Sequence, residues 1–209
     1  MNKRILILEA CGHSDETLEI SGIKTQSELY GMDVIQCCIS SKQDLINALS
    51  NHGQFDYVYL SSHGNQSGFC NEKNTINLSW FKFGSMVCST ECLREGGILL
   101  LSCCRGGLNE VAYDMFWNCP SIEYVVGPRQ SLASSDMLIG FQLLMYNLEY
   151  RNLDPIVASS RVLNGTDIRF TCFDRMETMS DPGYINRKKE LDESNWENLD
   201  FFSEFENEC

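Results

Sequence analysis

Six short apolar runs punctuate the chain: RILILEA (4–10), DVIQCCI (33–39), DYVYLSS (56–62), ILLLSC (98–103), EYVVG (123–127) and IRFTCF (168–173). Runs this short, without alternation of polar residues, are the pattern of strands buried on both faces. The segments between them are longer and mixed, as helices require. Residues 16–31 read as a helix. Ser41 is placed to cap a second helix through about Leu49, with Asp44 in its first turn. Asn-rich turn residues between Phe69-Cys70 and the TINLSW run predict a hairpin over 68–80, followed by a helix through Arg94. Residues 107–117 read as helix. Ser135 opens a nearly all-apolar helix to about Tyr150, which must be buried. A further helix follows Pro155. Strand–helix alternation of this kind predicts an α/β fold: a mainly parallel, roughly six-stranded sheet covered by helices on both faces, a three-layer sandwich.

Composition is consistent with a globular chain. The protein has 209 residues, 43% of them hydrophobic, enough for one domain with a substantial core. No apolar stretch reaches the roughly 18 residues of a membrane span. The N-terminal apolar run is short for a signal peptide and reads as a first buried strand. With 29 acidic and 16 basic residues the net charge is −13, which argues against direct nucleic-acid binding.

The negative charge is uneven. Residues 190–209 carry eight acids, no Lys or Arg, and Trp196, Phe201, Phe202 and Phe205. The chain therefore divides into a body, 1–189, and an acidic aromatic tail, 190–209. The tail reads either as a solvated cover for its own domain edge or as a docking segment. Eleven cysteines, an odd number including the adjacent pairs 37/38 and 103/104, suit a reducing cytoplasm better than a disulfide framework.

Sites in open parallel sheets lie beyond the carboxyl ends of the strands. Two such ends carry reactive groups. One is Ser61-Ser62-His63-Gly64; the other is Ser102-Cys103-Cys104-Arg105-Gly106-Gly107. If the two strands are neighbours, His63 and a cysteine share one crevice. A Cys–His pair supplies nucleophilic acyl transfer, the thiolate attacking a carbonyl and the imidazole moving protons. Alternation along the strand sends Cys103 into the packed layer and Cys104 into the turn. The backbone N–H groups of Gly64 and Cys104 are the natural oxyanion donors.

The SSHG … LSCCRGG pair resembles the caspase-like (clan CD) cysteine peptidases, which carry His-Gly after one strand and QACRG after the next. Metacaspases carry a similar double cysteine whose second member is the nucleophile. The chain beyond Cys104 looks most like the CHAT branch of that clan: LSCC, then a strand ending in glycine (EYVVG), then a buried helix holding Asp136, Phe141 and Tyr146. The resemblance spans roughly residues 4–173. It implies a cysteine endopeptidase with His63 and Cys104 as its dyad and Gly64 and Cys104 as its oxyanion hole. It implies a protein substrate, a regulatory protein partner, and a setting in bacterial defence or signalling. No metal or organic cofactor is implied. The position two before the nucleophile, which shapes the substrate pocket in the clan, is Ser102 here rather than Gln or Asp. Asp136 lies near that pocket in the family pattern, where it would attract a basic side chain or else stabilise its helix N-terminus.

Other readings compete for the same residues. His13 also follows a strand, and His52 sits in a polar turn. Cys88, Cys92, Cys103, Cys104 and His63 offer metal ligands, but no paired C-x2-C spacing links them. No GxGxxG follows the first strand and no Walker lysine is present, which discounts a nucleotide site. A catalytically inactive scaffold of the same fold is the alternative from another functional class.

Overall fold

All six apolar runs become strands of one sheet. The computed structural model describes residues 2–12 and 14–197. The strands are β1 (Arg4–Glu9), β2 (Asp33–Cys38), β3 (Phe55–Ser61), β7 (Leu93–Ser102), β8 (Ile122–Pro128) and β9 (Phe170–Asp174). Their order is β2-β1-β3-β7-β8-β9. All pairings are parallel except β8–β9, which is antiparallel. The helices are α1 (Ser14–Leu29), α2 (Lys42–Ser50), α3 (Trp80–Ser89), α4 (Asn109–Asn118), α5 (Ser134–Met145), α6 (Pro155–Thr166), α7 (Arg175–Met179) and α8 (Pro182–Glu197).

Alternation along the central strands splits the core into two layers. Leu6, Leu8, Val58, Leu60, Leu99 and Leu101 pack with residues of α2, α3 and α4. Ile5, Ile7, Tyr57, Tyr59, Ile98 and Leu100 pack with residues of α1, α5 and α6. The three-layer α/β sandwich is therefore the observed architecture. Ser41 caps α2 as the pattern predicts, its side chain accepting from the Asp44 N–H.

Several boundaries differ from the sequence reading, each for a local reason. The helix expected to run to Arg94 stops at Ser89, because Glu91 turns left-handed (φ 50°). Leu93 is then buried as the start of β7, opposite Phe55. The helix expected from 107 starts at Asn109. Gly107 is held instead against β8: a Cβ on it would stand 2.1 Å from the Gly127 carbonyl oxygen, a backbone approach only glycine permits. The long apolar helix starts at Ser134 with Ala133, not Ser135, at its N-cap, and ends in a π-helical turn over Tyr146–Tyr150.

The expected hairpin gains a strand. Its members β5 (Gly68–Cys70) and β6 (Asn77–Ser79) are joined by β4 (His63–Gly64) in a small antiparallel sheet. Helix α8 runs across position 190, and residues 198–209, most of the acidic aromatic segment, lie outside the described residues. Among the described residues no helix is long and apolar enough to cross a membrane.

Candidate active site

Three adjacent parallel strands end at one level. Glu9 of β1 pairs with Ser61 of β3, and Ser61 pairs with Ser102 of β7. The ladder continues one step beyond each strand: the Ala10 N–H donates to the Ser61 carbonyl at 2.9 Å, and the Ser62 N–H to the Ser102 carbonyl at 3.2 Å. The chains then part, and each releases a reactive residue two positions past the shared level. These are Cys11 from β1, His63 from β3 and Cys104 from β7. The structure thus brings His63 and Cys104 to one cavity of about 170 Å³, lined also by Glu16, Glu19, Ser61, Ser62, Ser102, Cys103, Leu132 and Met137.

The two adjacent cysteines have different surroundings. Cys103 is buried in the layer against α2, α3 and α4. Burial pushes its thiol far up, which keeps it protonated and unreactive. Cys104 is half-buried, with Sγ 4.0 Å from the Leu132 carbonyl oxygen. Arg105 follows in the left-handed region (φ 63°), where a non-glycine residue is strained, and this turn carries Cys104 out of the strand.

Gly64 packs closely against the Cys103-Cys104 segment. A Cβ there would meet Cys103 Cβ at 2.9 Å, Cys103 Sγ at 3.0 Å and the Cys104 carbonyl oxygen at 3.1 Å. The Asn65 N–H donates to the Gly68 carbonyl at 3.0 Å, which makes Asn65–Gly68 a hydrogen-bonded pair of the hairpin. Pairs alternate along an antiparallel ladder, so Gly64–Phe69 is the next, non-bonded pair. The Gly64 N–H therefore points away from β5.

The floor of the cavity holds a residue that motif reading missed. Glu19 of α1 is only 2% exposed, and its Oε1 accepts hydrogen bonds from the Ser102 and Tyr59 hydroxyls. Burial raises its pKa to about 7; the two hydroxyls work against that shift, and the nearby Glu16 charge adds to it. The sequence signal was present. Ile20, Ile23 and Ser27 form the buried stripe of α1, and Glu19 lies beside them, a carboxylate on an apolar face.

The remaining candidates fall elsewhere. Asp136 stands in the first turn of α5, outside the residues that line the cavity, whereas its neighbours Ser134 and Met137 line it. His52 lies at the β2 edge of the sheet, with Nε2 3.7 Å from Cys37 Sγ. His13 lies outside the described residues. Cys88 and Cys92 sit at the far end of α3 and the loop after it. Among the described residues, the side chains placed to share a cation are Cys11, Glu16 and His63 rather than the five weighed from the sequence.

No protein-family profile matches the chain, and no curated protein matches it. Solved structures do. A secreted C11 cysteine protease from Bacteroides thetaiotaomicron, in complex with an irreversible peptide inhibitor, superposes with a TM-score of 0.60 over 86% of this chain and 68% of that one, at 9% identity. A second structure of a secreted C11 cysteine protease from the same organism, called iotapain, gives a TM-score of 0.62 over 85% and 68%, also at 9% identity. The fold is that of the caspase-like C11 cysteine proteases. At this identity the C11-like likeness concerns the chain's path alone. It agrees with the parallel α/β sandwich expected from the strand pattern and with the caspase-like fold implied by the SSHG … LSCCRGG resemblance.

Proposed function

We propose that the protein is a cysteine endopeptidase acting through Cys104 and His63. The observation that carries this reading is the Ser61–Ser102 pairing, which delivers an imidazole and a half-buried thiol to the same cavity from neighbouring strands. In this mechanism the Cys104 thiolate attacks the scissile carbonyl and forms an Sγ–C bond. The oxyanion that develops is met by the N–H groups of Gly64 and Cys104. His63 delivers a proton to the departing amine as the C–N bond breaks. It then removes one from the water that hydrolyses the thioester, which releases the carboxylic acid and regenerates the Cys104 thiolate beside the protonated imidazole. These groups complete the chemistry without a metal or organic cofactor.

The cavity also favours one kind of substrate side chain. Glu16 and Glu19 line it, no Lys or Arg does, and Ser102 is engaged with Glu19. A cationic side chain preceding the scissile bond is the best complement, with Glu19 rather than Asp136 as its counter-charge. The peptide inhibitor bound to one C11 structure supports a peptide substrate here. The LSCC and EYVVG runs and the buried helix with Asp136 support placement near the CHAT branch. The ten described cysteines are all free, which supports work in a reducing cytoplasm. An effector role in bacterial defence or signalling, gated by a protein partner, completes the proposal.

The test is labelling with irreversible thiol-reactive peptide probes carrying Lys, Arg or neutral residues, followed by mass-spectrometric mapping. Wild type, Cys104→Ala and His63→Ala are compared, with and without candidate partners from the native source. Selective modification of Cys104 that weakens in His63→Ala is expected. Scattered labelling of several cysteines, indifferent to His63, would overturn the dyad and favour a non-catalytic scaffold.

A further inference from the structure

His63 stands between two cysteines, not beside one. On its β7 side is Cys104. On its β1 side is Cys11, released two residues beyond Glu9 just as His63 is released two residues beyond Ser61. Cys11 is 3% exposed, so its thiol is part of the interior rather than a surface group. Glu16, in the first half of α1, completes the cluster. The ligating atoms of Cys11, Glu16 and His63 all lie within 4.8 Å of one another.

We propose that Cys11, Glu16 and His63 form a binding site for a borderline-soft divalent cation, zinc being the best match, and that its occupation withdraws His63 from the dyad. The donor set decides the class of metal. One thiolate, one imidazole and one carboxylate suit zinc; magnesium and calcium take oxygen ligands almost alone. Geometry agrees. Bonds of about 2.0–2.3 Å at tetrahedral angles place ligand atoms roughly 3.5 Å apart, so the cluster needs to contract by about 1 Å. Three protein ligands leave one coordination position for water.

The charge balance is simple. The Cys11 thiol loses its proton to solvent when the cation binds, and the neutral imidazole contributes a lone pair. Thiolate and carboxylate together neutralise the two positive charges. The imidazole nitrogen committed to the metal can neither accept nor deliver a proton at Cys104. The inhibitory consequence rests on the dyad reading proposed above; the metal site itself does not. It departs from the sequence expectation of no metal, because Cys11 and Glu16 belong to no recognisable ligand spacing and His63 reaches them only through the β1–β3 pairing.

The experiment uses the full chain, stripped with chelator, titrated with cobalt(II) as a spectroscopic probe and then with zinc in competition. Wild type and Cys104→Ala are expected to bind one equivalent with a thiolate-to-cobalt charge-transfer band, and Cys11→Ser to lose that band. Loss of an outer-sphere partner already costs about 10–100-fold in affinity, so Glu16→Gln, at a half-buried position, should weaken binding by more than tenfold. Cys37→Ser should change nothing, which controls for the Cys37–His52 contact. In a parallel assay, zinc should suppress peptide-probe labelling of Cys104 in wild type, and Glu16→Gln should need over tenfold more zinc. A band that survives Cys11→Ser, or affinity unmoved by Glu16→Gln, would overturn the site. A band intact in Cys104→Ala and lost in Cys11→Ser, together with a Cys104 that never labels in metal-free protein, would uphold the site and defeat the peptidase reading instead.

Discussion

Ser61 and Ser102 face each other as the last paired residues of β3 and β7. Neither belongs to the proposed dyad, yet their register places it. Each sets the level from which the next two residues leave the sheet, so His63 and Cys104 emerge side by side. A slip of one residue in a pleated strand reverses every side chain, and would turn Cys104 towards the core and Cys103 out of it.

The contact between Gly64 and the Cys103-Cys104 segment should be intolerant of a methyl group. A Cβ at 64 would meet both a side chain and a backbone carbonyl at about 3 Å, and the backbone cannot rotate away. Gly64→Ala is expected to destabilise the fold by about 1–3 kcal/mol, the usual range for overpacking. It should also abolish probe labelling of Cys104 while the protein remains folded by circular dichroism. Wild-type labelling in the folded variant would show that this contact does not shape the site.

Glu19 should leave a signature in the pH dependence of stability. Its folded pKa of about 7 lies above the ordinary 4.5 because of burial. The unfolded chain therefore releases this proton first as pH rises. Its contribution is fully present below about pH 4.5, is lost progressively up to about pH 7, and is flat beyond. The loss is on the order of 3 kcal/mol. Both hydroxyls donate to a single oxygen, Oε1, which the amide of Glu19→Gln retains. Denaturant unfolding of that variant should show no such decline. Parallel pH profiles for the two proteins would contradict it.

The same carboxylate should govern substrate choice. The ratio of kcat/KM for a lysyl peptide over its norleucyl analogue cancels the dyad's own titration. It should rise as Glu19 ionises near pH 7, and fall roughly 10–100-fold in Glu19→Gln, the worth of a charge-assisted hydrogen bond. The Ser102 hydroxyl holds the Glu19 pKa down, so Ser102→Ala should move that rise to higher pH. A ratio indifferent to Glu19 would place the substrate side chain elsewhere.

Arg175 ties the end of α4 to β8. Its guanidinium donates to the carbonyls of Ile122 at 2.7 Å, Phe116 at 3.1 Å and Cys119, and its Cζ lies 5.1 Å from the Phe116 ring centroid. A lysine cannot reproduce that fork. Arg175→Lys should lower stability by about 1–3 kcal/mol through carbonyls left unpaired, with probe labelling of Cys104 unchanged. A shift in midpoint too small to resolve would mean water replaces the fork.

The central strands were legible because a strand covered on both faces has little polar to show: β1, the YVYL run of β3 and the ILLL run of β7 are written as apolar runs. Their ends were legible for the complementary reason, that His63 and Cys104 follow those runs abruptly. Element boundaries were less so. Nothing local distinguishes a helix ending at Ser89 from one ending at Arg94, and the burial of Leu93 opposite Phe55 decides it.

The sequence by itself determined the α/β class, the two strand ends that carry His63 and Cys104, and the alternation that buries Cys103 and leaves Cys104 half-buried, because period, capping and alternation act over a few residues. Only the tertiary structure decided that β1, β3 and β7 lie side by side. That adjacency brings Glu19 under Ser102 and sets Cys11 and Glu16 beside His63. Strand order is a relation between distant segments, fixed by how the helices cover both faces of the sheet, and no spacing along one chain encodes it.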